Sequence, residues 1–174
     1  MTVIADDNGV EAIGGIMGGE PSGVSDDTTD VFLEVALFDP IRTATSGRKL
    51  GIMSDARYRF ERGVDPESAY RGAHVATRMI LEICGGEAST LTVAGEMPAW
   101  QRDVSLRKSR VASLGGLDVP GDEQTRILRD LGFEPVDEGD NIRCKVPSWR
   151  HDIDGEADLV EEVLRIRGYD DIPV

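Results

Sequence analysis

Phe133-Glu134-Pro135-Val136-Asp137-Glu138-Gly139-Asp140-Asn141-Ile142-Arg143-Cys144-Lys145-Val146 is the stretch that decides the fold of the C-terminal half. Phe133 to Val136 and Ile142 to Val146 are short β-favouring runs. Asp137-Glu138-Gly139-Asp140-Asn141 between them has turn composition, so the segment reads as a hairpin. Before it, Asp122 precedes Ile127, Leu128 and Leu131 at helical spacing and Gly132 closes the run, which predicts a helix capped by Asp122. After it, Pro147-Ser148-Trp149-Arg150 leads into a second helix over about residues 155–167, with Gly168 at its exit. Val104 to Val111 begins as a strand. Strand, helix, hairpin and helix within so short a stretch predict a small α+β module.

Working outward, Thr2 to Ala5 and Val10 to Met17 flank the turn signal Asp7-Asn8-Gly9, a second predicted hairpin. Gly14-Gly15-Ile16-Met17-Gly18-Gly19 follows, then a polar loop from Pro21 to Asp30. Val31 to Phe38 is apolar on both faces apart from Glu34, which predicts a central strand stopped by Asp39-Pro40. Residues 41–63 are basic and polar (Arg42, Arg48, Lys49, Arg57, Arg59, Arg62) and carry no assigned element. Asp65-Pro66-Glu67 opens a long helix, with Asp65 as N-cap and Pro66 at the first helical position. Ala69, Ala73, Ala76, Ile80 and Ile83 then repeat at helical spacing until Gly85-Gly86. Leu91 to Ala94 is β-like. The Pro98- and Trp100-containing segment from Gly95 to Arg102 places a domain boundary, giving domains at residues 1–98 and 99–174. The chain enters its first strand at once and Val174 follows a proline, which suggests a piece excised from a longer polypeptide.

The 174 residues are 40% hydrophobic and 30% charged, which excludes a disordered tail or a low-complexity linker. Nineteen Lys+Arg against 33 Asp+Glu give a net charge of −14. Residues 1–100 carry 8 basic and 16 acidic side chains (−8), and residues 101–174 carry 11 and 17 (−6). Neither half would attract a phosphate backbone by bulk charge. Cys84 and Cys144 lie too far apart for a metal-spaced pair and read as reduced, buried thiols of a cytoplasmic protein. No signal peptide or membrane span is visible.

Three features could carry chemistry. Asp158, Glu161 and Glu162 share one helical face, and Asp152 lies in the loop before them. With no Lys nearby, they either gather a hard divalent cation, magnesium above all, or form a solvated acidic helix start that the macrodipole favours. Glu34 interrupts an apolar strand, so it either orients a polar ligand in a pocket or pairs with an arginine at an edge. The glycine pairs around Ile16-Met17 match neither a dinucleotide fingerprint nor a P-loop. They let backbone approach a ligand or a neighbouring strand, or they end a bulged hairpin. His74 and His151 stand alone, and no nucleophilic arrangement is present.

The string Gly14-Gly15-Ile16-Met17-Gly18-Gly19, then Asp27-Thr28-Thr29-Asp30, then Glu34-Val35-Ala36-Leu37-Phe38-Asp39-Pro40 resembles the B-three/B-four editing region of the bacterial phenylalanyl-tRNA synthetase beta-subunit family. Ser54-Asp55-Ala56-Arg57 and Arg59-Phe60-Glu61-Arg62-Gly63-Val64-Asp65-Pro66 continue the pattern. Val146-Pro147-Ser148-Trp149-Arg150-His151-Asp152-Ile153, Asp158-Leu159-Val160-Glu161-Glu162-Val163 and Gly168-Tyr169-Asp170-Asp171-Ile172-Pro173 are similar to that family's B-five domain.

The resemblance implies an α+β chain: part of a mixed β-sheet editing domain with a long helix, then a winged-helix-like B-five domain. It implies an editing pocket with Gly18 in its floor, Glu34 meeting the hydroxyl of a misattached tyrosine, and Ser54 and Ala56 where the pattern reads Thr-Asp-Ala. The pocket histidine of the family falls upstream of Met1. A buried partner for the phenolic hydroxyl discriminates far better than an apolar wall. The resemblance also implies a magnesium ion (Mg²⁺) on Asp152, Asp158, Glu161 and Glu162, shared with an alpha subunit and weakly held without it, while Asp154 and Glu156 lie outside its pattern and are expected to be solvated. The parent enzyme, two alpha and two beta subunits, charges tRNA(Phe) with phenylalanine using ATP in a pocket on alpha, so this chain alone is expected not to aminoacylate. Two other classes stay open: a structural module bracing the alpha subunit, and a winged-helix nucleic-acid binder, against which the −6 charge of residues 101–174 argues.

Overall fold

A computed structural model describes residues 1–172; Pro173, the end of the last motif above, and Val174 lie outside the described residues. The chain divides into two compact units, Met1–Met97 and Pro98–Val174. The α+β expectation holds, and the strand pairing is antiparallel throughout both sheets.

In the first unit β1 (Val3–Asp6), β2 (Gly9–Ile13) and β3 (Met17–Gly18) form a three-stranded sheet in that order. The turn is made by Asp6, whose Oδ1 accepts the amides of Asn8 (2.7 Å) and Gly9 (3.1 Å). The predicted second strand, Val10 to Met17, is cut short at Ile13 and resumes as β3, because the chain turns back at Gly14-Gly15. Those two positions admit no side chain. A Cβ on either would lie within 2.8 Å of the Phe38 ring, and Gly15 also has φ +70°.

Val31 to Phe38, expected as a central strand, pairs with no strand among the described residues. Apart from Glu34 both of its faces are apolar in composition, but a strand also needs a hydrogen-bonded neighbour, which it lacks among the described residues, and Phe32 is 91% exposed. Leu91 to Ala94 is likewise no strand. Asp39-Pro40 does not merely stop a strand. Asp39 is the N-cap of α1 (Pro40–Leu50), accepting the Arg42 amide at 2.6 Å, and Pro40 sits at the first helical position. A short α2 (Asp55–Phe60) follows, so the basic stretch left without an element holds two helices.

The long helix α3 (Ser68–Cys84) begins two residues later than an Asp65 cap would have it, with Glu67 in the cap position. Asp65 instead builds the preceding turn, its side chain accepting the Glu67 amide at 3.0 Å and its carbonyl the Ser68 amide at 2.9 Å. Gly85 ends α3 as expected. Cys84 is exposed rather than buried.

The second unit runs β4 (Asp103–Arg107), α4 (Lys108–Gly115), α5 (Gly121–Asp130), β5 (Glu134–Glu138), β6 (Asn141–Lys145) and α6 (Glu156–Arg167), its sheet ordered β4-β6-β5. Val104 faces Cys144 and Leu106 faces Ile142 across the ladder, and all four are buried. Pro135 lies in β5, an edge strand, where its missing amide leaves no ladder bond unmade. The core joins these residues to Val111, Ile127, Leu128, Phe133, Leu159 and Val163. Asp122 is not the cap of α5: Pro120 holds that position and Asp122 stands in the first turn, where the helix dipole favours a carboxylate. No helix among the described residues is long and apolar enough to cross a membrane.

Candidate functional site

A cleft of ≈ 660 Å³ opens in the first unit beside the glycine-rich turn, and Gly18, Glu34, Ser54 and Ala56 all line it. Its apolar wall includes Phe38 and Phe60, whose rings meet edge to face at 5.1 Å. The bare backbone at Gly14-Gly15 is what lets Phe38 lie there. A Cβ on Gly18 would meet nothing within 4 Å, so that position leaves room rather than filling a contact.

Glu34 is the acid of this cleft. The residue is exposed, yet partial burial pushes its carboxyl above the usual value, and no cation or donor among the described residues offsets that push. The edge pairing with an arginine, one of the two readings of this residue, is not what the structure shows. A carboxylate without a partner among the described residues, at the side of a cleft walled by apolar groups, can accept a hydrogen bond from a hydroxyl or amide donor.

Ser54 plays a different part. Its hydroxyl donates to the carbonyl of Ile16 and accepts the amide of Arg57 at 3.1 Å, as N-cap of α2. The group therefore fixes the backbone beside Gly18 to the start of α2. Arg57 itself is buried, with Nε on Glu61 at 2.9 Å and Nη1 on the Ile52 carbonyl at 2.6 Å. It fits because Gly47 of α1 has no side chain: a Cβ there would fall 2.3 Å from Arg57 Nε. The resemblance carries both Ser54 and Arg57 in its motif but implies neither this bracing nor the burial of Arg57. The signal was a serine directly before an acidic first turn.

In the second unit the four expected magnesium ligands do not gather. Asp158 Oδ2 accepts the amides of Asp154 and Gly155, both at 2.8 Å, and so caps α6. Glu161 is exposed. Asp152 and Glu162 are brought together, but around Arg150, whose Nε and Nη2 reach Asp152 at 2.8 and 2.6 Å and whose Nη1 reaches Glu162 at 2.9 Å. Arg165 adds a second bond to Glu162 at 2.7 Å. Asp152 is held below the usual carboxylate range by the hydrogen bonds from Arg150. Burial by itself would raise Glu162, yet the bonds from Arg150 and Arg165 bring it below its ordinary value.

Among the described residues no group of three or more His, Cys, Asp or Glu side chains could hold a metal ion. The donors as they stand do not fit magnesium. Counting only lysines missed Arg150, two residues from Asp152, and Arg165, one helical turn from Glu162. Glu156 is not simply solvated. Arg107 grips it through its backbone amide, Nε and Nη2, and its carboxyl is lowered to about 2.

Comparison with known proteins accounts for both units. The B3/4 domain family matches residues 1–85, and the tRNA synthetase B5 domain family matches residues 104–169. The phenylalanine–tRNA ligase beta subunit of Paramagnetospirillum magneticum is 58% identical over 173 residues, covering 99% of this chain and 22% of that protein. That of Rhodospirillum rubrum is 56% identical over 174 residues, with 99% and 22% covered. For Mesorhizobium japonicum the identity is 54% over 172 residues, with 99% and 21% covered. The chain thus spans about a fifth of the length of the curated relatives it matches. It belongs to the phenylalanine–tRNA ligase beta-subunit family, as a B3/4 domain followed by a tRNA synthetase B5 domain.

Proposed function

We propose that the chain acts within a cytoplasmic phenylalanine–tRNA ligase, where its first unit supplies part of a pocket that recognises tyrosine misattached to tRNA(Phe). The observation that carries this reading is the cleft itself. Four residues separated by up to 38 positions, Gly18 to Ala56, line one cavity whose acid has no partner among the described residues. A phenolic hydroxyl entering the slot would donate to Glu34, whereas a phenylalanine ring would leave that carboxylate unpaired. The Ser54 hydroxyl is engaged on both sides, so these residues supply recognition, and water activation falls to groups elsewhere in the enzyme.

Phenylalanine activation with ATP is assigned to an alpha subunit, in an assembly of two alpha and two beta subunits. The second unit acts there as a subunit-interaction module. A magnesium ion shared with alpha would draw on Asp152, Asp158, Glu161 and Glu162 only once they left their present partners, so no step is routed through it. The winged-helix nucleic-acid reading is disfavoured by more than net charge. Arg107, Lys108, Arg143 and Lys145 are each paired with a carboxylate of the same unit.

In the complete ligase, Glu34→Ala is expected to slow hydrolysis of Tyr-tRNA(Phe) by roughly 10- to 100-fold, the value of a hydrogen bond to a charged group, while phenylalanine charging continues. Deacylation of purified Tyr-tRNA(Phe) measures it, and an unchanged rate would remove Glu34 from the pocket's function.

A further inference from the structure

Asp152 and Glu162 reach one point from different segments, the loop after β6 and the second turn of α6. Two carboxylates there, one with a side chain only 9% exposed, demand a positive charge between them. A guanidinium is already in that place. Arg150 binds Asp152 in the two-pronged manner that suits a planar fork, and it reaches Glu162 with its remaining nitrogen.

Arg150 is itself held. Its guanidinium lies over the Phe133 ring at 5.7 Å, and its carbonyl accepts Arg102 Nη2 at 2.6 Å, while Arg102 Nε binds the Ile153 carbonyl at 2.7 Å. Arg165 completes a group of two carboxylates and two guanidinium ions with no net charge. The third and fourth acids do not contribute: Asp158 faces the backbone amides at the start of α6, and Glu161 is exposed.

We propose that Arg150 is the resident counter-ion of the second unit, occupying the position between Asp152 and Glu162 that a hard divalent cation would need. A divalent cation then enters only when Arg150 leaves. Magnesium favours near-octahedral oxygen ligands and sheds water reluctantly, so it competes poorly with a bidentate guanidinium already in contact. This inference stands independently of the editing reading, since it concerns a different unit and no tRNA.

The test uses the 174-residue chain. Its thermal midpoint, followed by circular dichroism, is expected to be the same in EDTA and in millimolar MgCl₂. Arg150→Gln is expected to melt lower in EDTA and to regain stability on adding MgCl₂, because Asp152 and Glu162 are then uncompensated. A magnesium-dependent rise for the unaltered chain, or an Arg150→Gln chain that folds and ignores magnesium, overturns the proposal. Should Arg150→Gln stay unfolded in both buffers, Mn²⁺ titration of the unaltered chain by NMR decides. Absence of selective broadening at the Asp152 and Glu162 amides supports the resident arginine, and saturable broadening there refutes it.

Discussion

Ser54 donates to the Ile16 carbonyl and accepts the Arg57 amide, so its removal acts on two elements at once. Ser54→Ala is expected to lower the stability of the first unit by roughly 1–3 kcal/mol, the sum of a lost N-cap and a lost hydrogen bond. Ser54→Thr, which keeps the hydroxyl, should stay close to the unaltered chain. Urea denaturation of the two variants separates these outcomes, and equal loss in both would mean that the hydroxyl is not the active group. At this scale the string alone singles out Glu34 and the glycine pairs, and only the family resemblance adds Gly18, Ser54 and Ala56; all four line one cavity. The partners of the acids were not legible, because side-chain pairing depends on where a loop lands. Nothing in the order Arg150-His151-Asp152 states that the arginine turns towards Glu162 on another element.

Among the elements, α6 has the clearest pH signature. The hydrogen bonds from Arg107 hold the Glu156 carboxyl at about 2, against an ordinary 4.5. A carboxyl depressed in the folded state contributes stability that is fully present above its unfolded value and is lost as the pH falls through the folded one. The unit should therefore lose stability progressively between pH about 4.5 and about 2. Glu156→Gln should flatten that fall without abolishing it, since Asp152 and Glu162 are also lowered. Stability curves recorded across this window test the assignment, and identical slopes would discard it.

Elements defined by local signals were readable: the hairpin of β5 and β6, the helices α5 and α6, and the end of α3 all lie close to their predicted positions. Errors came where one signal serves two structures. Asp-Pro ends a strand or opens a helix, and at Asp39-Pro40 it opens α1. Val31 to Phe38 has the composition of a buried strand, but a strand also needs neighbours, and composition is silent on whether they are present.

Across the whole molecule the apolar core is unevenly shared. Among the described residues, all fifteen members of the contiguous core cluster belong to the second unit, whereas in the first only Ile16 and Ala73 are buried hydrophobics. Burial of apolar area is the main favourable contribution to folding, so the two units should differ in stability. Amide hydrogen exchange on the intact chain is expected to show slow exchange in β4, β6 and α6, and fast exchange in β1 to β3 and over Val31 to Phe38. Comparable protection in both units would contradict this. The chain divides between Met97 and Pro98, within the Pro- and Trp-containing segment. The thinness of the first core was not foreseeable, because its sequence is as rich in apolar residues as an ordinary domain.

The two thiols follow the same asymmetry. Cys144 is buried in the second core, with its thiol pushed up to about 12 by desolvation, while Cys84 is exposed at the end of α3. Since only the thiolate reacts readily, a maleimide dye at neutral pH would label one position without any mutagenesis. The native chain thus carries a built-in attachment point for fluorescence on its less stable unit.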